Sequence, residues 1–112
     1  MKMDRILSFL GIAAKSGNIK SGEFSSAKAV KEAKGYLVIV AGDASDNTKK
    51  EFINTCKYYK VPYCEYSNKE CLGRSIGKKN RASLCITDNG MALALINKLN
   101  EAGCKVLFFD KT

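Results

Sequence analysis

Apolar positions along the chain follow two spacings, one typical of helices and the other typical of buried strands. Apolar residues three and four positions apart predict five helices, which start at about Asp4, Gly22, Ser45, Ser67 and Asp88. Stretches rich in apolar residues predict strands at Tyr36–Ala41, Tyr63–Tyr66, Ala82–Thr87 and Lys105–Phe109. A very short strand at Asn18–Ser21 precedes them. Helices and strands therefore alternate, which favours an α/β sandwich around one central sheet.

The strand Tyr36–Ala41 gives the strongest strand signal in the chain. It is apolar on both faces, a pattern typical of a strand in the middle of a sheet that helices cover on both sides. We therefore expect this strand at the centre of the sheet.

Polar residues and glycines mark where the predicted helices begin and end. Ser45 can cap the third helix and Asp88 the last, while Ser67-Asn68-Lys69-Glu70 has the spacing of a capping box for a short fourth helix. The first helix should end at Lys15 and the second at Lys34-Gly35.

The turn at Ser21-Gly22 opens the second helix and offers a site for an anion. A glycine there leaves the first backbone N–H groups uncovered, with the positive end of the helix dipole behind them. Lys20 and Lys28 flank this entrance, one before it and one on the second turn of the helix. The combination suits a phosphodiester backbone above other anions.

The net charge of the chain also favours an anionic ligand. The 112 residues are expected to form one domain with a core of its own. A net charge of +8 favours nucleic acid or an acidic membrane surface over a merely solvated lysine-rich surface.

No apolar stretch is as long as the roughly 20 residues that a bilayer requires. The N-terminus does not have the apolar core and cleavage site of a signal peptide, so we expect a cytoplasmic protein without a membrane partner.

The chain has five cysteines and no histidine, which limits the chemistry it can perform. No two cysteines have Cys-x-x-Cys spacing, so we expect no metal site and interpret the cysteines as reduced core residues. A serine or cysteine nucleophile would need an unusual base. Asp43 and Asp88 follow strands, as in response-regulator receivers, but turn formation and helix capping explain them more simply. We expect neither an enzyme nor a cofactor.

The segment Gly73–Lys79 resembles a nucleotide-binding phosphate loop only superficially. Three residues separate its glycines where the motif requires four, and Lys79 stands where the motif requires a hydroxyl. We interpret the segment as a helix end followed by a basic loop, Gly77–Arg81, which is either a solvated surface or a nucleic-acid contact. Loops at the same end of a sheet converge, so this loop and the Gly22 turn are expected to form one surface.

Several segments, in order and in spacing, resemble the L-seven-Ae and L-thirty-e class of ribosomal proteins. They are Gly17-x-Ile19-Lys20-x-Gly22, Lys28-Ala29-Val30, Leu37–Ala41 with Asp43-Ala44-Ser45, Cys56 ahead of Val61-Pro62-Tyr63, and Lys69-x-x-Leu72-Gly73 with Ile76-Gly77. The likeness covers nearly the whole chain. Two further segments are most similar to the small bacterial YlxQ-type paralogues: Gly11–Gly17 and Ala44–Lys50.

The resemblance implies a three-layer α-β-α sandwich, with a central mixed sheet of four or five strands, that binds kink-turn RNA without enzymatic activity. In the family the loop before the second helix and that helix's first turns enter the major groove beside the kink. The basic loop after the fourth helix covers flipped-out nucleotides. The RNA-binding residues implied here are Lys20, Ser21, Gly22, Glu23, Phe24, Ser25, Lys28, Lys78, Lys79, Asn80 and Arg81.

One departure from the family pattern concerns base recognition. The family usually carries an Asn-Glu pair two and three residues after the turn glycine, where this chain has Phe24 and Ser25. A serine is a poorer acceptor for guanine edges than a glutamate, so the pattern favours phosphate contacts over base readout. Phe24 either stacks on a base or covers the helix entrance as a surface hydrophobe.

The leading hypothesis is a monomeric, non-catalytic protein that binds structured RNA, either a kink-turn or ribosomal RNA, with the ribosome as a possible site of action. Two alternatives remain open. One is a general basic RNA binder without kink-turn specificity, and the other is a protein-interaction module in the same fold whose lysines are merely solvated.

Overall fold

The computed structural model describes residues 4–109. These residues form five helices and five strands. The helices are α1 (Arg5–Lys15), α2 (Glu23–Lys31), α3 (Asp46–Tyr59), α4 (Lys69–Ser75) and α5 (Asn89–Glu101). The strands are β1 (Ile19–Ser21), β2 (Leu37–Val40), β3 (Tyr63–Glu65), β4 (Ser83–Ile86) and β5 (Val106–Leu107).

The strands form one mixed sheet in the order β1-β4-β2-β3-β5. Only β2 and β3 are parallel neighbours, and the other three pairings are antiparallel. All four residues of β2 are fully buried, and β2 lies at the centre of the sheet as its two-sided apolar pattern predicts. The number of strands falls at the upper end of the expected range.

The helices lie in two layers, one on each side of the sheet. Helix α2 packs on α3 and on β1 and β4, whereas α1 packs on α4 and α5. The three-layer α-β-α architecture expected from the sequence is therefore confirmed. The core between the layers contains β2 and β4 together with buried residues from each helix, among them Leu10, Val30, Phe52, Leu72 and Leu95.

The direction of the strands brings several connections to one edge of the sheet. Since β1 and β2 both run antiparallel to β4, and β3 runs parallel to β2, the ends of β1, β2 and β3 lie beside the start of β4. The loops that lead into α2, α3 and α4, and the loop that leaves α4, consequently share this edge. We call it the Gly22 edge, after the residue between β1 and α2.

Two helix boundaries differ from the sequence prediction. Helix α2 ends at Lys31 and not at Lys34-Gly35, because Ala33 adopts a left-handed conformation with φ of 60° and the Lys34 N–H turns back to the Ala29 carbonyl at 2.9 Å. The predicted capping box at Ser67 is also wrong. Asn68 caps α4 by accepting from the Cys71 N–H at 2.8 Å, since Ser67 has φ of 60° and its carbonyl accepts from Gly42.

The remaining caps agree with the prediction. Ser45 accepts from the Thr48 N–H at 3.1 Å and Asp88 accepts from the Met91 N–H at 2.9 Å, so both residues start helices as expected. The last strand is shorter than predicted, since only Val106 and Leu107 pair with β3.

Lys60 provides a test of backbone strain at the end of α3. It has φ of 60° and ψ of 44°, a left-handed conformation that glycine adopts without the steric cost of a Cβ. We expect Lys60→Gly to raise the free energy of unfolding by about 1 kcal/mol, measured by chemical denaturation. Lys57→Gly, inside the same helix, should lower it by about 1 kcal/mol. A loss of stability in both variants would contradict the assignment of strain to Lys60.

Candidate nucleic-acid interface

The turn between β1 and α2 depends on the backbone of Gly22. Its φ of 92° and ψ of 161° lie in a region that is accessible essentially to glycine alone. The Gly22 N–H donates to the Ser83 carbonyl at 3.0 Å, and the Gly22 carbonyl accepts from the Ser26 N–H at 3.0 Å. The turn is therefore fixed to β4 on one side and to the helix on the other.

The N-terminus of α2 differs from those of the other helices in residues 4–109. Side chains of Asp4, Ser45, Asn68 and Asp88 cap the other four, whereas Gly22 offers no side chain and α2 has no side-chain cap. Its first-turn N–H groups and the positive end of its dipole are left for an external acceptor. This is the arrangement that helix N-termini use to bind phosphate.

A pair of buried serines supports the turn from below. Ser26 and Ser83 are fully buried, the Ser83 hydroxyl donates to the Ser26 hydroxyl at 3.4 Å, and the Ser26 hydroxyl donates to the Lys20 carbonyl at 3.3 Å. These contacts join β1, α2 and β4 beneath Gly22. The two serines are not among the residues predicted from the sequence, although Ser26 lies four residues before the core residue Val30 and hence on the buried face of α2.

The structure brings the Gly22 turn and the basic loop together. Nε of Arg81 donates to Oγ of Ser21 at 3.2 Å, which joins the end of the basic loop to the end of β1. The physical reason is the antiparallel pairing of β1 with β4, which sets Ser21 opposite Leu84. The convergence expected from topology is thus present in the structure.

The basic loop is held against α4 through Gly73. The Lys78 N–H donates to the Gly73 carbonyl at 2.8 Å, and the Arg81 N–H donates to the Lys69 carbonyl at 3.0 Å. A Cβ on Gly73 would lie 1.4 Å from the Lys79 carbonyl oxygen, so only glycine permits this crossing. The loop therefore presents Lys78, Lys79 and Asn80 to solvent on a fixed backbone.

The five cations predicted from the sequence form no ion pair with an acidic side chain of residues 4–109. The three ion pairs within residues 4–109 are Lys34–Glu32, Lys49–Glu65 and Arg74–Glu70. None of them includes the five cations predicted from the sequence, which are Lys20, Lys28, Lys78, Lys79 and Arg81. Four of the five are exposed and Arg81 is half-buried, so their charge is available to an anionic ligand.

The remaining predicted residues have distinct surroundings. Glu23 accepts a hydrogen bond from the Thr48 hydroxyl at 3.1 Å, and Ser45 donates to the same hydroxyl at 3.0 Å. The Glu23 carboxylate thereby joins the starts of α2 and α3. Phe24 is 80% exposed, and with Ser25 it lines a cleft of about 600 Å³ beside α2. The Asn80 carbonyl accepts from Nη1 of Arg81 at 2.9 Å.

The groups considered for other chemistry have structural contacts instead. Asp43 accepts from the Lys69 N–H at 2.9 Å, and Asp88 caps α5. Burial raises the pKa of the Cys56, Cys64 and Cys85 thiols to about 12, with a smaller contribution from neighbouring groups at the first two. These thiols stay protonated at neutral pH and are poor nucleophiles. Among residues 4–109 no cluster of three acidic or cysteine side chains could hold a metal ion.

The sequence matches the model of one protein family over most of its length. The model of the ribosomal protein L7Ae/L30e/S12e/Gadd45 family matches residues 4–96. The chain belongs to this family. The RNA-binding protein YlxQ of Bacillus subtilis (strain 168) is 42% identical over 91 residues, which cover 81% of this chain and 91% of that protein. This similarity supports the resemblance to YlxQ-type members of the family.

Solved structures share the fold. A protein of unknown function from Bacillus halodurans C has a TM-score of 0.85 and 34% identity, with 88% of this chain and 99% of that chain covered. The 15.5kD RNA-binding protein of Giardia lamblia has a TM-score of 0.73 over 90% of this chain and 92% of that chain. At 23% identity, the second comparison bears on the fold alone.

No helix within the described range 4–109 has both the length and the apolar character that crossing a membrane requires.

Proposed function

We propose that this chain is a cytoplasmic, non-catalytic, single-domain RNA-binding protein that uses the Gly22 edge to bind a kink-turn or a similarly bent segment of structured RNA, such as ribosomal RNA. The main support is the hydrogen bond between Arg81 and Ser21, because it joins an uncapped helix N-terminus to a loop of unpaired cations. The family and the name of the Bacillus subtilis relative support RNA as the ligand class.

The shape of the RNA grooves favours a bent or irregular RNA over a uniform duplex as the ligand. The major groove of A-form RNA is too deep and narrow for side chains to read, and a kink widens it. The first turn of α2 carries free N–H donors for phosphate oxygens, and the basic loop lies next to it with Lys78 and Lys79 exposed. Together the two elements could contact backbones on both sides of a kink.

Titration against two RNAs of equal length, one with a kink-turn and one a straight duplex, tests the proposal. Preferential binding of the kink-turn RNA is expected. Equal affinity for the two RNAs would mean that the protein has no kink-turn specificity and is a general basic RNA binder. Affinity should fall steeply with added salt, since phosphate contacts release counterions. Failure to bind either RNA at low salt would favour the protein-interaction module in the same fold.

Two lysine substitutions test the proposed face. Lys28→Ala and Lys79→Ala should each weaken RNA binding by about 1 kcal/mol, or about fivefold, because each removes one phosphate contact. The slope of log affinity against log salt should decrease by about 1 in each variant. Isothermal titration at several salt concentrations measures both quantities.

Lys57→Ala is a matched control, since Lys57 is also exposed but lies in the last turn of α3, at the end of that helix away from the Gly22 edge. It should leave RNA affinity within the error of the wild type. Unchanged RNA affinity in the Lys28→Ala/Lys79→Ala double variant would mean that the binding face does not lie at the Gly22 edge.

A further inference from the structure

A groove runs along α2 from the Gly22 turn to the far end of the helix. Its volume is about 600 Å³, and we call it the α2 groove. Near the turn it is lined by Lys20, Phe24 and Lys28, and at its far end by Glu32, Lys34, Tyr36 and Thr87. The near end belongs to the face proposed above for structured RNA. The far end does not, and no role has yet been given to it.

The α2 groove combines positive charge with exposed aromatic rings. Lys20 and Lys28 have no acidic partner within residues 4–109, and the pair formed by Lys34 with Glu32 is long, at 3.7 Å, and solvent-exposed. A solvent-exposed ion pair of this kind contributes little energy, so the ammonium group of Lys34 is available to a phosphate. Phe24 is 80% exposed at one end and Tyr36 is 41% exposed at the other. Basic grooves with aromatic platforms are typical of sites that bind single-stranded nucleic acid.

The dimensions of the groove suit nucleotides. A volume of about 600 Å³ lies within the range of pockets that enclose small organic ligands. The nine residues of α2 give the groove a length of about 13 Å. The space is therefore extended along the helix, as a short stretch of chain requires, and is larger than a single phosphate would need.

The sheet edge beside the groove argues against a peptide as its occupant. Strand β1 is at the edge of the sheet, where a peptide could add as a further strand. However, β1 has only three residues and carries the exposed Lys20 at its centre. Short edge strands with a lysine are a common protection against such pairing. The same lysine attracts a phosphate, so the charge favours RNA over a peptide backbone.

We propose that the α2 groove binds a single-stranded stretch of RNA that adjoins the structured segment, with Tyr36 stacking on one of its bases. Lys20 and Lys28 contact the phosphates where this stretch leaves the Gly22 edge. This inference rests on the proposed function and extends it, since it adds a ligand segment that the kink itself does not contain.

The test compares one kink-turn RNA in three forms. The first has blunt ends, the second carries a short single-stranded uridine extension, prepared separately at the 5′ and the 3′ end, and the third carries the same extension without bases. For the wild-type protein the uridine extension should raise affinity about tenfold at one of the two ends, which corresponds to one base–aromatic stack. The extension without bases should give a smaller gain from charge alone.

Tyr36→Ala should lose the base-dependent gain and keep the wild-type affinity for the blunt RNA. Tyr36→Leu keeps an apolar side chain at this position and should lose the same gain. This variant distinguishes stacking of the aromatic ring on a base from apolar packing on the protein. Tyr58→Ala is the matched control, because Tyr58 is an exposed tyrosine on α3 outside the groove. It should behave as the wild type with all RNA forms.

Four results would overturn the inference in different ways. Tight binding of the blunt RNA with no gain from an extension at either end would reject the groove and leave the proposed function intact. Absence of binding to every RNA form would reject both. A gain from the extension that survives in Tyr36→Ala and Tyr36→Leu would also reject Tyr36 as the stacking residue, and competition by an acidic peptide but not by single-stranded RNA would indicate a protein ligand.

Discussion

Replacement of Gly73 by alanine is expected to displace the basic loop and to reduce RNA affinity more than any single lysine substitution. The added Cβ would lie 1.4 Å from the Lys79 carbonyl oxygen and 3.1 Å from the Asn80 Cα. Both neighbours are backbone atoms, so no side-chain rotation can relieve the clash. The loop must move away from α4, with loss of the hydrogen bond from Lys78 to the Gly73 carbonyl.

The expected magnitudes follow from this displacement. Overpacking of this severity costs about 3 kcal/mol of stability, measurable by chemical denaturation. Displacement of the loop should cost about two phosphate contacts, or about thirtyfold in RNA affinity, measured by titration at a temperature where the variant remains folded. Gly73 lies in the middle of α4, where alanine would otherwise favour the helix. Helix propensity alone therefore predicts that Gly73→Ala raises the stability, which is the opposite of the expected change.

Gly90→Ala is the matched control for this experiment. Gly90 is also in a helix, but a Cβ there would meet only the Asp88 carboxylate at 3.4 Å, an ordinary contact. Its stability should be equal to or slightly above that of the wild type, with unchanged RNA affinity. If Gly73→Ala kept wild-type stability and affinity, the close crossing of the loop over α4 would be wrong.

Replacement of Gly22 by alanine is expected to weaken RNA binding through the backbone instead of through a clash. A Cβ on Gly22 would meet no atom within 4 Å, but φ of 92° with ψ of 161° costs a residue with a side chain about 1–3 kcal/mol. The chain either keeps this strain or changes the turn, which would redirect the first N–H groups of α2. We expect a loss of about 2 kcal/mol in stability and a further loss of about tenfold in RNA affinity.

Gly103→Ala is the control that separates the loss of stability from the loss of RNA affinity. Gly103 has φ of 84° and open space around it, so its substitution should also reduce stability, but it lies in the loop before β5, the strand at the other end of the sheet from β1 and the Gly22 turn. Denaturation and RNA titration of both variants should give similar stability losses and a loss of affinity for Gly22→Ala alone. Equal affinities in the two variants would mean that the conformation of the Gly22 turn does not contribute to binding.

The candidate interface was predictable from the sequence only in part. The Gly22 turn, Lys20 and Lys28 are recognisable because glycine, lysine and helical spacing occur together within one short segment. The buried pair Ser26–Ser83 was not, since serine in a chain of this composition usually indicates surface or a cap. The role of Gly73 was not predictable either, because no sequence pattern distinguishes a glycine that the following loop crosses from one that simply ends a helix.

The sequence by itself determined the alternation of helices and strands, the central position of β2, most of the helix caps and the family. These properties depend on spacing along the chain and on the chemistry of adjacent residues, which a sequence displays directly. Tertiary structure decided the end of α2, the choice of Asn68 over Ser67 as a cap, and the contact between Arg81 and Ser21. It also decided the α2 groove, whose lining residues come from residues 20–36 and from Thr87. The Asn68 cap, the contact between Arg81 and Ser21 and the α2 groove depend on which strands pair and which loops meet, and those pairings join residues that are far apart in sequence. The end of α2 depends instead on the left-handed conformation of Ala33, which the apolar spacing does not reveal.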